Sequence, residues 1–128
     1  MKSVIFNKLV RDKVTDELKR HTTKIDSETL SDERLITAIK NKILEEAAEI
    51  SEANLSKITE EIADLEEIIS KLKQELSITE SQIEDIRKRK RKKSGGFEKN
   101  IFIHKVEVGE NSELLKYVKG KRDKYKVI

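Results

Sequence analysis

Apolar and polar positions alternate with a helical period over most of the chain. From about Asp32 to Asn54 the aliphatic positions are Ile36, Ile39, Ile43, Ala47 and Ile50, a stripe along one side of a helix. A second stripe, Ile58, Ile62, Leu65, Ile69, Leu72 and Leu76, predicts a helix from about Lys57 to Leu76. Between them Asn54-Leu55-Ser56 reads as a turn, with Ser56 placed to cap the second helix. Thr79 and Gln82 have the spacing of a capping box, with Ile78 and Ile83 as its hydrophobic staple. The helix they open should end near Ser94, where Gly95 and Gly96 can adopt the left-handed conformation that stops a helix.

The ends of the chain are less regular. Residues 1–6 read as a short strand or an extended arm. Val10, Val14 and Leu18 predict a helix over residues 7–20. Residues 21–32 are polar and aperiodic, as in a loop. Residues 100–108 alternate weakly and fit a short extended segment after the Gly-Gly turn, and residues 112–125 predict a short basic helix. The expectation is an all-α helical bundle built on a long antiparallel helix hairpin. Its domain would span residues 1–104, with a basic C-terminal extension over 105–128.

Composition sharpens this picture. The 128 residues suffice for one ordinary domain. There is no Cys, which excludes disulfides, thiolate metal ligands and a cysteine nucleophile. There is no Pro, which suits uninterrupted helices. No apolar run reaches the length of a membrane span, so the expected location is cytoplasmic. The net charge of +3 hides an asymmetry. Residues 1–86 carry 13 basic and 20 acidic side chains; residues 87–128 carry 15 basic and five acidic. The first part could hold a cation and the second a polyanion.

The acidic side chains of the two long helices are in register. At about 100° per residue, Glu46 lies roughly 40° from the centre of its stripe and Glu49 roughly 100°. Glu61 and Asp64 lie roughly 55° and 115° from theirs, in the same rotational sense. The short turn makes the helices antiparallel neighbours related by a two-fold axis. Equal offsets then bring both pairs to one side of the hairpin. Centred on Leu55, the turn sets Glu49 opposite Glu61 and Glu46 opposite Asp64. Clustered carboxylates repel one another unless a cation neutralises them. Oxygen ligands select a hard ion, Mg²⁺ or Mn²⁺, and Mg²⁺ commonly shares its shell with substrate phosphates. The competing reading is a solvated glutamate-rich face.

The segments Glu45-Glu46-Ala47-Ala48-Glu49 and Glu61-Ile62-Ala63-Asp64 resemble the motifs of the MazG-like all-alpha nucleotide pyrophosphohydrolases, which include phosphoribosyl-ATP pyrophosphohydrolases. Asn7-Lys8-Leu9-Val10-Arg11-Asp12-Lys13-Val14 and Gly95-Gly96-Phe97-Glu98-Lys99-Asn100-Ile101-Phe102 are similar to flanking segments of a small subgroup. Together the four cover roughly residues 6 to 103. The chain departs from the subgroup at Thr15, where a proline is usual, and at Ser94, where a basic residue commonly stands.

The resemblance implies Mg²⁺-dependent hydrolysis of nucleoside triphosphates or related nucleotides to a monophosphate and pyrophosphate, in a homodimer or homotetramer. It implies Glu46, Glu49, Glu61 and Asp64 as metal ligands. Glu45 and Glu46 are the candidate catalytic carboxylates, although a solvent-facing Glu45 is the plainer alternative. Arg11, Lys13, Arg91 and Lys93 are candidates to hold substrate phosphates. Arg11 and Lys13 could equally pair with the acidic body, and residues 87–93 could be a solvated helix end or bind nucleic acid. Phe97 is expected in the core rather than stacked on a base, and His21 and His104 are assigned to no metal. The rival function is a helical nucleic-acid-binding or regulatory protein that uses the basic 87–93 run and the tail. A second rival binds nucleotides without turning them over.

Overall fold

The computed structural model describes residues 1–121 and 123–128. Among these residues it contains five helices and no strand: α1 (Val14–Leu18), α2 (Asp32–Glu52), α3 (Ile58–Glu75), α4 (Glu80–Ser94) and α5 (Glu113–Lys119). No helix is long and apolar enough to cross a membrane. The chain divides into two compact units, Met1–Arg87 and Lys88–Ile128. The boundary expected near residue 104 therefore falls inside the second unit.

The first unit is organised by the α2–α3 hairpin, whose packing is the main helix–helix contact. Ala53 leaves α2 in an extended conformation, and Asn54 accepts a 3.0 Å hydrogen bond from the Lys57 amide to close the turn. Ser56 does not cap α3. Its hydroxyl instead lies 2.6 Å from the Asn54 side-chain oxygen, and Lys57 takes the cap position without a side-chain bond. Ser56 stands one residue before the cap position, which Lys57 holds with φ −106° and ψ −14°.

The sheltered positions take in most of each aliphatic stripe and extend toward the carboxylates. On α2 they include Leu35, Ile36, Ile39, Lys42, Ile43, Glu45, Glu46 and Ile50, whereas Ala47 is exposed. On α3 they include Ile58, Glu61, Leu65, Ile68 and Leu72, whereas Ile62 and Leu76 are exposed. The N-terminal segment lies on the acidic side, where Lys8 pairs with Glu45 of α2 and Arg11 with Asp64 of α3.

The helix expected over 7–20 occupies only Val14–Leu18; Asn7 before it has a positive φ of 44°, and Lys8 and Arg11 pair with Glu45 and Asp64. The third long helix keeps its predicted start. The Thr79 amide donates to Gln82 Oε1 at 2.8 Å and the Gln82 amide donates to Thr79 Oγ1 at 3.1 Å, the reciprocal bonds of a capping box. Its end is also as expected: Gly95 has φ +81° and its amide reaches the Arg91 carbonyl at 2.8 Å.

Within the second unit, residues 97–108 form no helix or strand, and Ser112 caps α5 by accepting a bond from the Leu114 amide. Phe97 is 95% exposed, which corrects its expected core role. It follows two glycines in an irregular segment with no apolar helix face beside it in sequence.

Candidate metal centre

Glu46, Glu61 and Asp64 converge. Each can place one carboxylate oxygen within 4.8 Å of an oxygen from the other two. Glu46 comes from the middle of α2 and is nearly buried at 8% exposure, while Glu61 and Asp64 come from successive turns of α3 and are half-buried. An Mg²⁺ ion with oxygens at about 2.1 Å spaces them about 3.0 to 4.2 Å apart, so small rotamer changes would close this group around one ion. The donor set, oxygen alone, suits a hard divalent cation.

Glu49 stays outside the group of three. It is exposed, but it shares a shallow groove with Glu61, bounded also by Glu52, Ala53, Asn54 and Lys57. Glu61 ionises above its ordinary value: desolvation is the largest cause, followed by the negative charges of Glu49, Asp64, Glu46 and Glu60. Among the described residues neither Glu61 nor Glu49 forms an ion pair, whereas Glu45, Glu46, Glu60 and Asp64 do.

Cations enter the same surface. Arg11 Nη2 lies 2.8 Å from Asp64 Oδ1, Lys42 Nζ lies 3.4 Å from Glu46 Oε1 and 3.2 Å from Glu45 Oε2, and Lys8 Nζ lies 2.9 Å from Glu45 Oε1. Lys42 had a sequence signal, since it precedes Glu45 by three residues and Glu46 by four. Lys8 had none, because its partner is 37 residues away. Seven carboxylates (Glu45, Glu46, Glu49, Glu52, Glu60, Glu61 and Asp64) share this surface with Lys8, Arg11, Lys42 and Lys57, so negative charge is in excess there.

Glu45 is half-exposed and engaged by both Lys8 and Lys42. Burial alone would raise its pKa, but hydrogen bonds and charge from Lys8 and Lys42 outweigh this and lower it. Such a carboxylate holds cations well and accepts a proton poorly. Lys13 is exposed at the start of α1, and Arg11 is engaged with Asp64. Arg91 and Lys93 lie on α4 within the second unit, where Arg91 Nη1 is 3.3 Å from Glu98 Oε1. His104 packs edge-on against Phe102 at 5.0 Å between ring centres. The chain matches no protein-family model, no curated protein and no solved structure.

Proposed function

We propose that the protein is a Mg²⁺-dependent nucleotide pyrophosphohydrolase, as its resemblance to the MazG-like family implies, and that it works as a homodimer or homotetramer. One observation carries this reading: three carboxylates from the two acidic motifs meet on one side of the α2–α3 hairpin, in a surface with more carboxylates than cations. Glu61 lies among like charges whose repulsion a bound cation would relieve.

In this reading Glu46, Glu61 and Asp64 hold the cation, and Glu49 stands beside them. When bound, Mg²⁺ would neutralise phosphate charge and assist ionisation of the attacking water. Neutralising Asp64 frees Arg11 to turn toward the phosphate chain, where a guanidinium forms paired hydrogen bonds. Lys13 is close to it in sequence and adds a second positive charge. Water attacks the α–β anhydride, one P–O bond breaks with its electron pair leaving on the pyrophosphate, and Glu49 accepts the proton. Glu45 is a positioning residue in this scheme: it fixes Lys8 and Lys42.

The test is pyrophosphate release from a panel of nucleoside triphosphates, with Mg²⁺ and with a chelator. Release should require the metal and should vanish in Glu46→Gln and Glu61→Gln. Turnover that survives Glu61→Gln would overturn the proposal.

A further inference from the structure

The basic half of α4 is not absorbed by this function. Residues Lys88–Lys93 are six consecutive cationic side chains, and every residue from Lys88 to Ser94 is exposed. Among the described residues only Arg91 of these six has a carboxylate partner, Glu98. Lys88, Arg89, Lys90, Lys92 and Lys93 are therefore uncompensated within about 9 Å of helix, at 1.5 Å rise per residue. Like charges at three- and four-residue spacing destabilise a helix. The helix dipole rewards cations only in the last turn, here Arg91, Lys92 and Lys93. It does not explain Lys88, Arg89 or Lys90.

The distribution around the axis is informative. At about 100° per residue the six side chains leave no azimuthal gap wider than roughly 100°. The segment has no apolar face, and a helix that lies on a membrane needs one. A flat anionic surface would meet only half of the charges. A groove with phosphates on both walls would meet most of them. The major groove of duplex DNA is about 12 Å wide and admits a helix of about 10–12 Å diameter. Lys and Arg at this density contact phosphates, which are the same in every sequence. The unit that carries it, Lys88–Ile128, has 14 basic and five acidic residues.

We propose that Lys88–Lys93 of α4 is a sequence-independent binding element for double-stranded DNA, with the lysine and arginine side chains contacting phosphates on both walls of the major groove.

The experiment is a fluorescence-anisotropy titration of the full chain with a mixed-sequence duplex, repeated over a range of salt concentrations. Log affinity should fall linearly with log salt, by about 0.9 per phosphate engaged. The quadruple variant Lys88→Gln, Arg89→Gln, Lys90→Gln, Lys92→Gln should bind at least about 10-fold more weakly, with a slope shallower by about 3.6 if all four engage phosphates. Glutamine keeps a helix propensity close to that of lysine, and circular dichroism checks that the variant stays helical. Wild-type binding by a helical quadruple variant would overturn the proposal, as would no duplex binding at 50 mM salt. Equal affinity for a single strand of the same length would overturn the groove assignment. Binding to phosphatidylserine vesicles without duplex binding would transfer the surface to a membrane and overturn the proposal as well.

Discussion

At the scale of single residues, the behaviour of Glu61 follows from its surroundings. It is half-buried, unpaired among the described residues, and faces four other carboxylates. Its pKa is therefore raised above the ordinary value of 4.5. Below that value both folded and unfolded chains hold the proton. As pH rises, the unfolded chain releases it first, so the stability that Glu61 contributes at acid pH is lost as pH passes through its folded pKa. Glu45, with its lowered pKa, has the opposite sign: its contribution is present at neutral pH and is lost as pH falls through its folded pKa. Two outcomes are expected in thermal unfolding. Glu61→Gln should raise the melting temperature of the chelated protein near pH 7, because it removes repulsion without removing an ion pair. Mg²⁺ should stabilise the wild type by mass action and leave Glu61→Gln nearly unmoved. Equal Mg²⁺ shifts in the two proteins would show that Glu61 is not a ligand. Ile39 is the other decisive residue. It is the only fully buried apolar side chain among the described residues, so Ile39→Ala should cost about 2–4 kcal/mol, read from urea unfolding.

At the scale of elements, helix ends are set by local bonds that the sequence shows unequally. Thr79 and Gln82 announce the start of α4, and Thr79→Ala should cost about 1 kcal/mol and speed hydrogen exchange at the Gln82 amide. The end of α3 carries no glycine, yet Ser77 adopts φ 54°. Its amide bonds the Gln74 carbonyl at 3.2 Å and the Ile78 amide bonds the Lys73 carbonyl at 2.9 Å, which is the Schellman arrangement. A serine pays steric strain in that conformation, so Ser77→Gly should stabilise the protein by about 0.5–1 kcal/mol in equilibrium unfolding. Destabilisation instead would mean that the Ser77 side chain has a role beyond this turn.

At the scale of the whole molecule, a single fully buried apolar side chain is too little to hold a chain of this length by its own core. Leu44 on α2 is 69% exposed and Ile62 on α3 is 43% exposed. Burying about 1,200–2,000 Å² between copies would supply the missing apolar contact. Light scattering at micromolar concentration should therefore give at least a dimer, and Leu44→Glu should weaken it. A monomeric, folded wild type would refute the oligomer. The tail offers a further measurement: truncation after His104 should leave nucleotide hydrolysis intact, since the carboxylates and Arg11 all lie in the unit Met1–Arg87.

Helical period, the turn near Leu55, the capping box at Thr79 and the stop at Gly95 were all legible in the chain, because each depends on residues within one or two turns of one another. So was the convergence of Glu46, Glu61 and Asp64, since a short turn leaves two helices only one simple way to pair. The apolar stripes were largely legible, since Ile36, Ile39, Ile43 and Ile50 of α2 and Ile58, Leu65, Ile69 and Leu72 of α3 are sheltered. The cover on the acidic side was not: Lys8 and Arg11 reach Glu45 and Asp64 across 37 and 53 residues. Glu46 is buried, while Glu49 stays exposed beside the cluster rather than in it. Local sequence determines which residues lie on which side of a helix; only tertiary packing decides which side is covered, because that depends on where distant charges find their partners.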